Sequence, residues 1–204
     1  MPFFFWILIM KKIEKVCIYC ASSHKVDSTY FEAAGKLAAE LVSNNISIVY
    51  GGGAVGLMGK VADTAMNMGG RVTGILPRFM DEVEWGHKSI TRLILVDDMR
   101  ERKRRMIEES DAVIALPGGT GTIEELFEVI SLKRLGQYTQ PIILLNTKDY
   151  YKHLIAFVNQ MVHENFLRAE HLGMMTVINE PHQVMDALNN SPAWGKDAIN
   201  FAAV

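Results

Sequence analysis

The strongest constraint on this chain is the regular alternation of short apolar runs with helical stretches. Val-, Ile- and Leu-rich runs occupy 16–20, 46–50, 71–76, 92–96, 112–116 and 141–145, with little apolar–polar alternation inside them. A strand with one wet face alternates with period two, whereas a strand buried on both faces reads as a continuous apolar run. Between these runs, helices fit 28–43, 57–68, 98–110, 122–135, 149–164 and 181–190. In the first of them Tyr30, Phe31, Ala34, Leu37, Ala38, Leu41 and Val42 recur at helical spacing, behind an N-cap at Asp27 or Ser28. Strands and helices alternating in this way predict an α/β fold, a doubly wound parallel sheet with helices on both faces. No repeat, low-complexity tract or linker interrupts the order. Residues 12–190 therefore read as one domain, followed by a tail at 191–204.

The 204 residues suit a single domain, and 49% hydrophobic with 22% charged is ordinary globular composition. A net charge of −2 supplies no global field for DNA or RNA, so nucleic acid is not an expected partner. Cys17 and Cys20 form one C-x-x-C inside an apolar run, where residues three apart point to opposite faces. Buried structural thiols in a reducing cytoplasm are expected, and no second pair completes a zinc site. The segment Met1–Met10 is strongly apolar but too short to span a bilayer, and it lacks the basic start of a signal peptide. Residues 1–11 are read as an extension, with translation naturally starting at Met10. Packing of that segment on a partner is the alternative.

In open α/β sheets ligands bind beyond the carboxyl ends of the strands, which is where the loops 20–27, 51–56, 77–90 and 117–122 fall. Gly51-Gly-Gly-Ala-Val-Gly56 follows one strand and opens a helix, a formal G-x-G-x-x-G that includes Gly52 and Gly53. The acid that would bind a ribose is missing after the next strand, where Pro77-Arg78 stands, so NAD is disfavoured while Arg78 leaves NADP formally open. Gly59-Lys60-Val61 does not satisfy a phosphate-loop motif either. The turn is read as close helix–strand packing that also has the makings of a ligand wall.

A second Gly-rich turn, Pro117-Gly-Gly-Thr-Gly-Thr-Ile-Glu-Glu125, also opens a helix. Unpaired backbone N–H groups and the positive end of the helix dipole make such a turn an anion site. Thr122 and Glu125 also match a capping box, with Thr122 as N-cap and Glu125 at the third helical position. In Asp98–Ile107 the apolar stripe of Met99, Met106 and Ile107 is interrupted by Arg102 and Lys103, which share its side, whereas Arg100, Arg104 and Arg105 fall outward. An inward cation needs an anion, so Arg102 is expected to meet a carboxylate or a ligand phosphate. None of the six histidines has metal-ligand spacing and no G-x-S-x-G elbow occurs. Ser23-His24-Lys25 raises a pyridoxal-phosphate decarboxylase as a third reading, against which the short chain argues.

Taken in order, Gly51-Gly-Gly-x-x-Gly-Leu-Met-Gly59, Asp98-Met-x-x-Arg-Lys103 and Pro117-Gly-Gly-x-Gly-Thr-x-x-Glu125 resemble the LOG ("lonely guy") family, over about residues 12–180. The resemblance implies homodimers of Rossmann-like subunits that hydrolyse the N-glycosidic bond of AMP or N6-substituted AMP, without metal or organic cofactor. By motif position it implies Arg102 and Glu125 as the catalytic pair. Nucleotide contacts then fall on Ser22, Gly52, Gly53, Glu84, Lys103, Gly118, Gly119, Thr120, Gly121, Thr122, Glu124 and Ser131. Arg100, Ala21 and Thr120 depart from what many members carry, namely His, Gly and an aromatic residue. A non-catalytic carrier of a nucleotide or of the molybdenum cofactor on the same fold is the competing implication.

Overall fold

The computed structural model describes residues 12–83 and 85–203. The apolar extension and Glu84 lie outside the described residues. Seven strands form one sheet: β1 Lys15–Tyr19, β2 Ser47–Tyr50, β3 Val72–Pro77, β4 Arg92–Val96, β5 Ala112–Ala115, β6 Ile142–Leu145 and β7 Thr176–Ile178. Their order is β4-β3-β2-β1-β5-β6-β7, and every adjacent pair is parallel. The chain winds outward from β1 in one direction and then from β5 in the other, so the expected doubly wound α/β sheet is what forms. β7 was not foreseen from sequence: it is three residues long at the sheet edge, only Ile178 of them is buried, and they carry no long apolar run.

Seven helices cover the sheet: α1 Ser28–Ser43, α2 Gly56–Asn67, α3 Arg78–Asp81, α4 Met99–Glu108, α5 Thr120–Arg134, α6 Lys152–His163 and α7 Val184–Asn190. One core lies between the sheet and α1, α2 and α7, and includes Leu37, Leu41, Val61, Val184 and Leu188. The other lies against α4, α5 and α6, and includes Met106, Leu126 and Val129. Period-two geometry divides β1 between them. Val16, Ile18 and Cys20 face the first core, while Cys17 and Tyr19 face the second. Both cysteines are buried and free.

Three boundaries differ from the periodicity reading. The helix expected at 149–164 starts at Lys152, because Lys148 and Asp149 adopt left-handed φ of 56° and 57° and break the pattern. The segment 181–190 divides into a 3-10 turn at Pro181–Gln183 and α7. The helix expected from 122 begins at Thr120. Asp27 is the N-cap of α1, accepting from Thr29 N at 2.9 Å. Beyond Asn190 the chain packs back on α5, with Ala198 and Ala202 buried.

Candidate active site

The sheet reverses its winding between β1 and β5, and the crevice at their carboxyl ends is the expected ligand position. Two helices bring charge to this edge. Asp98 caps α4, its Oδ1 accepting from Arg100 N and Glu101 N at 2.8 Å each. That cap sets the helical phase: Met106 packs in the core, and Arg102, one turn earlier, turns inward beside it. Arg102 is 8% exposed. Its Nε donates to Ile75 O at 3.1 Å and its Nη1 to Glu125 Oε1 at 2.6 Å. Glu125, on α5, is itself 7% exposed.

Burial pushes the Glu125 carboxyl above the usual carboxylate range, while the Arg102 guanidinium opposes that shift by attraction and hydrogen bonding. The side chain is thus a dehydrated carboxylate held against a fixed cation. Next to Arg102 the side chain of Lys103, mostly covered, pairs with Glu124 and with Glu128 at 3.0 Å across the same two helices. Arg100 and Arg104 lie on the outer surface, as the spacing predicts, and Arg105 pairs with Glu101 at 2.9 Å.

The two Gly-rich turns, similar in sequence, differ in what their helices leave free. At α2 the first N–H groups are already used: Leu57 N and Met58 N both donate to Ala21 O, at 2.9 and 3.2 Å. Gly56, at φ +66°, presses on Ser22, where an added Cβ would stand 2.3 Å from the backbone carbon. Gly52 packs on Leu76, and Gly53 bridges Gly86 and lies under Met58. This turn packs closely, Gly56 against Ser22 and Gly52 and Gly53 against Leu76 and Met58. Its contribution to the charged pair is Gly51, over which Arg102 Nη2 lies only 2.1 Å from where a Cβ would be.

At α5 no side chain caps the helix, whose N-cap is Gly119. Among the described residues the N–H groups of Thr120, Gly121 and Thr122 have no acceptor, and Ile123 N is the first to bond, to Gly119 O at 3.1 Å. The capping box expected from sequence does not form. With Gly119 as N-cap, Thr122 is the third helical residue and Glu125 the sixth, so Glu125 is free to reach Arg102. Thr122 is buried against Gly118, and an added Cβ at Gly119 or Gly121 would meet nothing within 4 Å. A groove of about 530 Å³ opens there, walled by Gly118, Gly119, Thr120, Ile123, Glu124, Phe127 and Tyr150. Free N–H groups and unfilled space at a helix N-terminus suit a phosphate.

Of the remaining expected site residues, Ser131 lies one turn beyond the groove wall Phe127, its hydroxyl bonded to Phe127 O at 2.7 Å, and does not itself line the groove. Lys25 is exposed in the loop after β1. Among the described residues no group of three His, Cys, Asp or Glu side chains is placed to hold a metal ion. Tyr150, Phe127 and Ile123 were missed from sequence. The two aromatics looked like helix-face residues, and a tyrosine pair just after a strand was the available signal.

A family model described as "possible lysine decarboxylase" matches residues 58–188. The chain is 39% identical over 181 residues to a probable cytokinin riboside 5′-monophosphate phosphoribohydrolase of Oryza sativa subsp. japonica, covering 89% of this chain and 74% of that protein. A cytokinin riboside 5′-monophosphate phosphoribohydrolase of Arabidopsis thaliana is 42% identical over 161 residues, 79% of this chain and 71% of that one. Among solved structures, the molybdenum cofactor carrier protein of Chlamydomonas reinhardtii superposes with a TM-score of 0.66 at 16% identity, over 86% of this chain and 96% of the carrier. The molybdenum cofactor binding protein of Rippkaea orientalis gives 0.64 at 19% identity, over 86% and 95%. At that identity the carriers share the fold alone. With ordered motifs, a matching family model and relatives near 40% identity over most of its length, the chain belongs to the LOG family.

Proposed function

We propose that this protein hydrolyses the N-glycosidic bond of AMP or of an N6-substituted (cytokinin) adenosine 5′-monophosphate, releasing free base and ribose 5-phosphate. The observation that carries this reading is the buried Arg102–Glu125 pair, at 2.6 Å, beside the uncapped N-terminus of α5. In the reaction the C1′–N bond breaks, water oxygen bonds C1′, and a water proton ends on the departing base. The transition state carries positive charge at C1′, as in glycoside hydrolysis generally. Glu125 stabilises that charge and orients or deprotonates the attacking water, and its raised pKa suits proton exchange. Arg102 favours the ionised form of Glu125 against burial and aims it, and the Gly118–Thr122 turn takes the 5′-phosphate.

A carrier on the same fold needs the cradle without such a pair. A carboxylate and a guanidinium dehydrated together therefore favour the hydrolase. Names of the relatives point the same way. The chain is further read as a cytoplasmic homodimer without nucleic-acid or membrane partners. On α6 only Val158 is buried while Phe157 is 56% exposed, which supports a second copy covering that face. Among the described residues no helix is long and apolar enough to cross a membrane.

Chromatography of reactions with AMP and N6-isopentenyl-AMP, with adenosine and ATP as controls, tests the activity. Glu125→Gln is expected to abolish turnover while keeping fold and nucleotide binding, and Arg102→Ala to weaken both binding and rate. Wild-type turnover by Glu125→Gln would overturn the mechanism.

A further inference from the structure

The loop after β6 carries the two consecutive non-glycine residues with left-handed backbone, Lys148 and Asp149, a conformation that L side chains adopt at a cost and that clusters at functional sites. Four contacts hold it there. Lys148 Nζ reaches Asp27 Oδ2 at 2.8 Å, across 121 residues of sequence. Asn146 Nδ2 donates to Asp149 Oδ1 at 3.2 Å, and Asn146 Oδ1 accepts from Tyr151 N at 2.8 Å. Tyr151 Oη then donates to Leu116 O at 2.6 Å. Tyr150, the residue delivered by this bent backbone, packs edge-on between Tyr30 and Tyr151 and donates its hydroxyl to Gly118 O at 2.6 Å.

That last bond falls on the one Gly–Gly peptide of the Pro117–Glu125 turn. Gly118 and Gly119 are joined by a planar trans unit, so its C=O and N–H point in opposite directions and a flip exchanges them. Glycines on both sides make the flip sterically cheap. Flipped, the unit would present a carbonyl oxygen where an anion needs a donor.

We propose that Tyr150 is a positioning residue for phosphate: its hydroxyl holds Gly118 O and so locks the Gly118–Gly119 peptide in the orientation that leaves the mouth of α5 to donors alone. The ligand class is a phosphate monoester, and the inference rests on the reading of this groove as the nucleotide site. Tyr150 acts through the turn and takes no part in bond breaking.

Calorimetric titration of ribose 5-phosphate and of adenosine into wild type, Tyr150→Phe and Tyr151→Phe tests this, together with steady-state rates on AMP. Tyr150→Phe loses one hydroxyl and retains its ring contacts, so its unfolding midpoint should stay close to that of wild type. Losing one hydrogen bond to the cradle is expected to raise the ribose 5-phosphate Kd and the KM for AMP about tenfold. Adenosine affinity stays unchanged and kcat stays within about twofold. Wild-type affinity of Tyr150→Phe for ribose 5-phosphate overturns the proposal. So does an equal loss for adenosine, or the same pattern in Tyr151→Phe, since either marks a general loosening of the loop. Should wild type bind ribose 5-phosphate in a Tyr150-dependent way yet cleave no nucleotide, the hydrolase reading fails and this inference stands; if wild type binds no ribose 5-phosphate, the inference falls.

Discussion

Gly51 shows how one residue governs the charged pair without carrying any chemistry. The Arg102 guanidinium lies on the bare Cα of Gly51 while it bonds Ile75 O and Glu125. A methyl group there would displace a planar fork already committed at two points, and Glu125 would lose its aim. Gly51→Ala is therefore expected to lower kcat/KM by about 10²-fold, the scale of an ångström-sized misplacement at a reacting centre. The measurement is steady-state kinetics alongside circular dichroism. Near-wild-type kcat/KM would mean that Arg102 can be held elsewhere. Sequence marked this glycine only as part of a motif, because the contact partner is 51 positions away.

At the scale of elements, α5 does two jobs at its two ends. Its N-terminus has no side-chain cap, and its last turn is closed by the segment after α7. There Trp194 Nε1 donates to Lys133 O at 2.6 Å, and the Trp194 ring lies 5.8 Å from Lys133 Nζ. Lys133 is 1% exposed, its ammonium bonded to Gln140 O at 2.8 Å, and burial pushes its pKa down to about 8 from the ordinary 10.5. Between those values the unfolded chain holds a proton that the folded one has released, so stability from this residue rises with pH through the window. Cys17 and Cys20, whose thiols burial pushes up, act in the opposite direction at alkaline pH. The effect is therefore read as a difference between wild type and Lys133→Met. From pH 7.5 to 10.5 wild type should gain on the variant by on the order of 3 kcal/mol in chemical denaturation. A pH-independent difference would show that the ammonium is fully compensated where it sits.

For the molecule as a whole, the face of α6 bears on assembly. Phe157 stands exposed on α6, where Met161 and Val162 are only half-buried while Leu154 and Ile155 pack on the core, and an exposed apolar face marks a contact surface. Sedimentation velocity is expected to find two copies, and Phe157→Asp to shift them toward one without unfolding the chain. A single copy for wild type at micromolar concentration would remove that assignment.

Much of this was legible in one sequence. Continuous Val, Ile and Leu runs between helical stretches read as the strands of a covered parallel sheet, so six of the seven strands and the doubly wound order followed from pattern and topology, although the edge strand β4 is partly exposed. Arg102 was legible because a charge in an apolar stripe must find a partner. Three things depended on contacts between distant segments and left no local trace. Ala21 O occupies the donors of one Gly-rich helix start while those of the other stay free. Glu125 is released from the expected cap and meets Arg102. Tyr150 is bent onto the Gly118 carbonyl. Periodicity reports which face of an element is buried, since that depends on each residue's own hydrophobicity. Which hydrogen-bond donors remain unpaired depends on what the folded chain places opposite them, and only the tertiary structure decides that.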